Sequence, residues 1–245
     1  MKNVNQSESK NEYETISCKC ITRDKKSEIV DTVLIKEHMF TIHTAGFSLT
    51  LSCLCSHLLE FVYGRLFTMG VIEAVNDVEN VRFDESKENA YVALKKEMFP
   101  SARQIVPFVE PIDFKPEWIF SITDFFNNNT PIHSVTHAAH SCILAKEGNV
   151  LFSCEDTGRH HALDKAIGYA LLNGINLKEC MLYGSGRVPT DMVVKVIGAG
   201  IPILISKALP TDKAVKLAKE KGLTLICQAR KDSFKVFYKN SATTN

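Results

Sequence analysis

The 245-residue sequence predicts an α/β fold with a smaller, β-rich N-terminal part. Three observations carry this. Residues 28–51 alternate as half-buried strands do, short apolar runs alternate with helical repeats from residue 140 onward, and four of the eight prolines fall between residues 98 and 118. Strand and helix alternating at that interval imply right-handed crossovers and a largely parallel sheet covered on both faces.

In chain order, residues 1–27 are polar at their start and read as a flexible segment. EIVDTVLIKEHMFTIHTAGFSLTL (28–51) is strand-rich, and LIKEHMFTIHT within it looks like a hairpin. HLLEFVYGRLFTMGVI (57–72) places Leu58, Leu59, Val62, Leu66 and Phe67 at helical spacing, with Gly70 as a stop signal. VENVRFD and AYVALKKE read as two further strands. The proline imides of residues 98–118 cannot donate to a central ladder, so that stretch is a linker. The division that follows is a β-rich domain with one helix at 28–110 and an α/β domain at 111–245.

In the second part IFSITDFFNN (119–128) reads as a helix, and SCILAK and NVLFSC as strands joined by Glu147-Gly148-Asn149. His161 to Asn173 is a helix with Leu163, Ala166, Ile167, Ala170 and Leu171 as its apolar stripe, followed by Gly174. ECMLYG is a strand, Thr190 to Gly198 a helix, IPILISK a strand, and Thr211 to Lys221 a helix ended by Gly222. LTLICQA and FKVFY are the final strands.

Charge narrows the function. Lys and Arg number 29 against 28 Asp and Glu, a net charge of +1, without the basic excess of a nucleic-acid surface. The longest apolar run, VIGAGIPILI (196–205), is short for a membrane span and is broken by Gly198, Gly200 and Pro202. The expected compartment is the cytoplasm, where thiols stay reduced. Of eight cysteines, Cys142, Cys154, Cys180 and Cys227 lie in strand-like runs and read as small buried hydrophobes. Cys18-Lys-Cys20 and Cys53-Leu-Cys55-Ser-His57 lack the Cys-x2-Cys spacing of most zinc knuckles.

Ligands of open α/β sheets sit where strands end and helices begin, because free N–H groups and the helix dipole favour anions there. Three such junctions carry suitable side chains. In CEDTGRHHALDK (154–165), Asp156 or Thr157 caps the helix, Gly158 permits a turn or close approach, Arg159 offers a planar fork, and His160 and His161 add donors. The structural alternative is a capped helix whose arginine pairs with Asp156 or Glu155. Gly184-Ser185-Gly186-Arg187-Val188-Pro189-Thr190 resembles a phosphate loop only loosely and lacks a Walker lysine. The third junction, residues 206–212, contributes Lys207. Together they set Arg159, Arg187 and Lys207 along one sheet edge, as a nucleotide or phosphate cleft requires. His133-Ser-Val-Thr-His137-Ala-Ala-His140 precedes the first strand of this half. The Cys and Glu partners of a zinc deaminase are absent, so His137 reads as a hydrogen-bonding or acid/base residue.

These segments resemble a known family. CEDTGRHHALDKAIGYALLNG is similar to the E-D-V-G-R-H-N-A-L-D-K helix of the formate dehydrogenase accessory sulfurtransferase (FdhD/NarQ) family. The likeness continues through YGSGRVPTDMVVKVIGAGIPILIS, LAKEKGLTLICQARKDSFKVFY, HLLEFVYGRLFTMGVI and Thr136-His137-Ala138-Ala139, over about residues 28–240. It implies a fold related to cytidine deaminases without their zinc, in a homodimer. It also implies transfer of persulfide sulfur from a cysteine desulfurase to the molybdenum or tungsten bis-molybdopterin guanine dinucleotide of formate dehydrogenase, with GDP as a mimic. The matching positions imply cofactor contacts at Thr136, His137, Asp156, Gly158, Arg159, His160, His161, Asp164, Lys165, Ser185, Gly186, Arg187 and Lys207. The guanine-dinucleotide segment falls on Gln228, Ala229, Arg230, Lys231, Asp232 and Ser233.

The chain departs from the family at the sulfur carrier. The family's C-G-x-C-G loop falls near Met98 to Pro107, read here as MFPSARQIVP, and no cysteine occurs between Cys55 and Cys142. A persulfide needs a thiolate. The T-G-x that precedes the family's T-H-A-A becomes His133-Ser134-Val135. Three readings stand: a sulfurtransferase with a relocated thiol (Cys142, Cys154 or Cys53/Cys55), a paralogue that binds the cofactor or a guanine nucleotide without carrying sulfur, and an unrelated nucleotide-binding regulator.

Overall fold

The computed structural model describes residues 12–96 and 107–241. β1 (Tyr13–Ile21) and β2 (Ser27–Ile35) form an antiparallel ribbon, paired from Tyr13↔Ile35 to Ile21↔Ser27. β3 (His38–His43), β4 (Ser48–Cys53), β5 (Val78–Phe83) and β6 (Asn89–Leu94) make a four-stranded sheet in the order β4-β3-β6-β5, with α1 (Leu58–Thr68) between β4 and β5 in sequence.

After α2 (Pro116–Asn128) and α3 (Pro131–Thr136) come β7 (His140–Lys146), β8 (Asn149–Asp156), α4 (Arg159–Leu172), β9 (Met181–Gly184), α5 (Thr190–Gly198), β10 (Ile203–Ser206), α6 (Asp212–Lys221), β11 (Thr224–Arg230) and β12 (Ser233–Tyr238). They build one six-stranded sheet, β12-β11-β10-β9-β7-β8. Alternate residues of the central strands face opposite layers, as a strand's period of two requires. Ile143, Met181, Tyr183, Ile203, Ile205 and Ile226 pack with α2. Leu144, Leu182, Leu204 and Leu225 pack with α4, α5 and α6.

Three expectations are corrected. Residues 13–27 are not a flexible segment: β1 and its turn lie there, in full register with β2. LIKEHMFTIHT is not a hairpin. β2 pairs with β1, whereas β3 pairs with β4 and β6, because the turn that reverses the chain is Thr44–Phe47, closed by the Thr44 hydroxyl and Phe47 N–H at 3.1 Å. The large sheet is mixed rather than largely parallel. Only β9, β10 and β11 run parallel, because β7–β8 and β11–β12 are joined by tight turns that connect antiparallel neighbours alone.

One apolar core crosses the 110/111 division, joining Phe40, Ile42 and Phe61 of the first part to Ala162, Ala166 and Val193 of the second. The joint is the crossing of α1 and α4. A Cβ on Gly64 would sit 1.7 Å from the Asp164 carbonyl oxygen, and one on Gly168 would sit 1.8 Å from that of Glu60. The helices therefore touch backbone to backbone, and α4 is buried on nearly all sides, wider than the single stripe expected.

A cation-lined cleft at one edge of the sheet

Register places all three junctions on one edge. Ser206 at the end of β10 pairs with Gly184 at the end of β9 and with Cys227 midway along β11, while His140 opens β7 opposite Asp156 at the end of β8. The two outer loops are tied together: Ser206 Oγ donates to the Gly186 carbonyl at 2.8 Å, Val188 N–H to Leu209, and Thr211 N–H to Val188.

The quoted 154–165 motif divides into two kinds of residue. Most of it is structural. α4 begins at Arg159, two residues earlier than its apolar spacing suggests, with Gly158 at the cap position rather than Asp156 or Thr157. Asp156 instead reaches under the helix, accepting from Gly158 N–H and Leu54 N–H and pairing with the Lys165 ammonium at 2.7 Å, both side chains fully buried. Burial resists ionising Asp156, but Lys165, His161 and the Gly158 amide outweigh it and bring the carboxyl to about 2. The same carboxylate raises the Lys165 pKa against its burial. Asp164 binds Lys195 at 2.7 Å, the Thr68 hydroxyl at 2.8 Å and Arg65, joining α1, α4 and α5. His161 lies against Asp156 and Phe61, and His160 faces Asp191 of α5. The structure thus gives Asp156, His161, Asp164, Lys165 and His160 partners within the protein, and Arg159 pairs with neither Asp156 nor Glu155 in the ion pairs of the described residues.

Arg159 is the member of the motif that reaches the edge. Its aliphatic stem packs on Gly186, where a Cβ would lie 3.1 Å from Arg159 Cδ and 3.2 Å from His140 Nδ1. Its Nε is buried and has no hydrogen-bond partner among the described residues. Beside it opens a cleft of about 310 Å³ lined by Phe126, His133, His137, Ala138, Ala139, His140, Ser185 and Lys207. Among these lining residues no carboxylate occurs. The Lys207 ammonium stands 4.9 Å over the Phe126 ring, and Ser185 Oγ accepts from Ser141 N–H at 3.0 Å beside His140. The Thr136 hydroxyl donates to Ile132 and receives Ala138 N–H, so it shapes the turn that leads into His137, whose φ is 53°. Below, Glu155 anchors the start of α3 through Ile132 and His133 N–H, both at 2.8 Å, and burial raises its pKa.

Other expected residues share the edge without lining the cleft. Arg187 is exposed on the β9–α5 turn. Gln228, with φ 51°, donates its N–H to Ala208, Ala229 is buried beneath Tyr183, and Arg230, Lys231, Asp232 and Ser233 form the exposed β11–β12 turn. His133 and His140, which flank His137 in the three-histidine segment of the sequence, are lining residues with it; their spacing around His137 is the signal.

The thiols are less suited to sulfur chemistry. Cys142 and Cys154 face each other across β7 and β8, both buried, and burial drives both pKa values far up. Burial pushes Cys53 up to about 12, whereas Cys55 and Cys18 are exposed. Nucleophilicity follows thiolate access. Brief iodoacetamide treatment of the native protein at neutral pH is therefore expected to alkylate Cys18 and Cys55 and to spare Cys142 and Cys154; early labelling of either buried thiol, read by peptide mass spectrometry, contradicts this packing. The expected position of the family's cysteine loop, Met98 to Pro107, lies outside the described residues apart from its last. Among the described residues no group of three or more His, Cys, Asp or Glu side chains could hold a metal ion, and no helix is long and apolar enough to cross a membrane.

Comparison with known proteins agrees with this architecture. The FdhD/NarQ family matches residues 96–243. The protein FdhD of Methanocaldococcus jannaschii is 31% identical over 211 residues, spanning 86% of this chain and 89% of that one. The sulfur carrier protein FdhD of Bacillus subtilis is 27% identical over 235 residues, 86% and 90% of the respective chains. A crystal structure from Desulfotalea psychrophila, provisionally described as a formate dehydrogenase accessory protein, superposes with a TM-score of 0.82 at 26% identity, covering 94% of this chain and 98% of that one. With the family matched over more than half its length and a shared fold over nearly all of it, this chain belongs to the FdhD/NarQ family.

Proposed function

We propose that this protein is an accessory factor in formate dehydrogenase maturation that binds the guanine-nucleotide end of bis-molybdopterin guanine dinucleotide at the sheet edge. The observation that carries this is the cleft's charge: Lys207 and three imidazoles line it with no carboxylate among the lining residues, and Arg159, whose buried Nε has no hydrogen-bond partner among the described residues, packs beside it on Gly186. A buried guanidinium N–H without an acceptor fits a phosphate oxygen. At about 310 Å³ the cleft lies at the small end of ligand pockets and suits one end of so large a molecule. Arg159, Lys207 and Ser185 would hold the phosphates, and the exposed residues Arg187 and 230–233 would border the rest. The bound molecule is cargo in this reading, and its metal chemistry belongs to the recipient enzyme.

GDP serves as the probe. Calorimetry should show GDP binding, with Arg159→Ala and Lys207→Ala each weakening it about tenfold or more, since a charge-assisted hydrogen bond contributes about 1.5–3 kcal/mol. Unchanged affinity in both variants sinks the site assignment.

Sulfur carriage is the second question, and the thiols favour a protein that holds the cofactor without carrying sulfur on Cys142 or Cys154. Both are buried as thiols, and the chain has no cysteine between Cys55 and Cys142. Incubation with a cysteine desulfurase and cysteine should leave both unmodified by mass spectrometry. A gain of about 32 Da, one sulfur atom, on either of them reverses that reading.

A further inference from the structure

The cleft carries more imidazole than a phosphate needs. His133 donates Nδ1–H to the Ala139 carbonyl at 2.8 Å, because a carbonyl oxygen can only accept, and this fixes its tautomer. His140 Nδ1 stands 3.3 Å from Ser185 Oγ; that oxygen accepts from Ser141 N–H and keeps its own proton free to donate to the ring. In that arrangement His140 is neutral, with Nδ1 as the site still able to take a proton.

The groups facing His140 explain why it stays neutral. Arg159 comes from α4, His133 from α3, His137 from the turn after it and Lys207 from the loop after β10, while α2 contributes only Phe126 among the lining residues. Asp156 lies opposite on β8 but is held by Lys165, and Glu155 is engaged by the amides of α3. Burial first, then Arg159 and His133, push the His140 pKa down, against the pull of Asp156. An anion entering the cleft reverses the balance: it offsets the Arg159 charge and favours the imidazolium.

We propose that His140 takes up a proton from solvent when an anionic group binds, so that the cleft recognises its ligand as an anion together with a proton. This rests on the assignment of the cleft as the phosphate site. The sign follows from the shift. His140 is neutral in the free protein down to below the usual imidazole value of about 6.5 and becomes protonated at a higher pH in the complex. Between those two values affinity rises as pH falls, by up to about tenfold per pH unit for one proton.

The test is GDP calorimetry at about pH 7 in two buffers of different ionisation enthalpy, on the wild type and on His140→Asn. The ligand's own phosphate proton is common to both proteins and cancels in the difference. Wild type should take up a larger fraction of a proton than the variant, and its affinity should fall more steeply toward about pH 8. Equal uptake in both proteins, with GDP bound, overturns the inference and leaves the phosphate site standing. No GDP binding by the wild type overturns both. Should the variant fold poorly, the ring-proton titration of His140 by NMR decides: a pKa that rises on saturation with GDP supports the proposal, and one that stays or falls defeats it.

Discussion

Replacing Gly168 by alanine is expected to destabilise the protein by about 3 kcal/mol or more, the upper part of the range for overpacked sites. The added carbon would sit 1.8 Å from the Glu60 carbonyl oxygen and 2.7 Å from Gly64 N. Both obstacles are main-chain atoms, which cannot rotate aside as a side chain can. The helices must separate instead, and separation pulls Thr68 and Arg65 of α1 from Asp164 of α4 and opens the core around Phe61. For a chain of this size the loss corresponds to a fall in melting temperature of about 6–12 °C. Gly64→Ala should behave alike, since its carbon meets the Asp164 carbonyl oxygen at 1.7 Å. Denaturant midpoints for both variants check this, and a loss under about 1 kcal/mol in either means the helices are not in backbone contact. Gly174→Ala is a useful comparison: its φ of +63° carries local strain, but no atom of the described residues would lie within 4 Å of the added carbon.

The sequence made the alternating strands and helices of the second half legible because the central strands β9, β10 and β11 bury nearly every residue between two helical layers, which leaves short, continuous apolar runs. Thr190–Gly198 emerges as read, and the last helix, with Thr211 as its cap, ends at Gly222 with φ +75° as expected. Local patterns failed where pairing is set by distant partners. Nothing within LIKEHMFTIHT says that β2 belongs with β1 and β3 with β6. The motif at 154–165 was visible as chemistry but not as geometry. Its acids and bases could equally face a ligand or one another, and only the third dimension shows Asp156 with Lys165 and Asp164 with Lys195. The position of the turns on the strand ends made Arg159 and Lys207 readable as rim residues. His133 and His140 were not, because a histidine's orientation depends on acceptors such as Ala139 and Ser185 that lie elsewhere in the chain.

That division of the motif gives the other large effect. Lys165→Met should cost about 3–5 kcal/mol at neutral pH, because removing one partner leaves a charged carboxylate in the interior. The Asp156 carboxylate would keep the Gly158 and Leu54 amides and His161 but lose the ammonium at 2.7 Å, and the Leu54 carbonyl would lose its donor at 3.1 Å. The pH response should also change sign. In the native protein the Asp156 pKa is about 2, below the carboxylate value of 3.8. The stability it contributes, about 2 kcal/mol, is therefore fully present above that ordinary value and is lost as pH falls toward the folded one. Without Lys165 burial dominates, the Asp156 pKa rises above 3.8, and the variant should gain stability as pH is lowered from neutral toward about 5. Asp156→Asn combined with Lys165→Met should recover part of the loss, since no net charge remains buried. Urea titrations of the three proteins across that pH range measure each term. A single variant within about 1 kcal/mol of the native protein, or one that gains no stability as pH falls toward about 5, would show that the pair is solvated rather than sealed beneath α4.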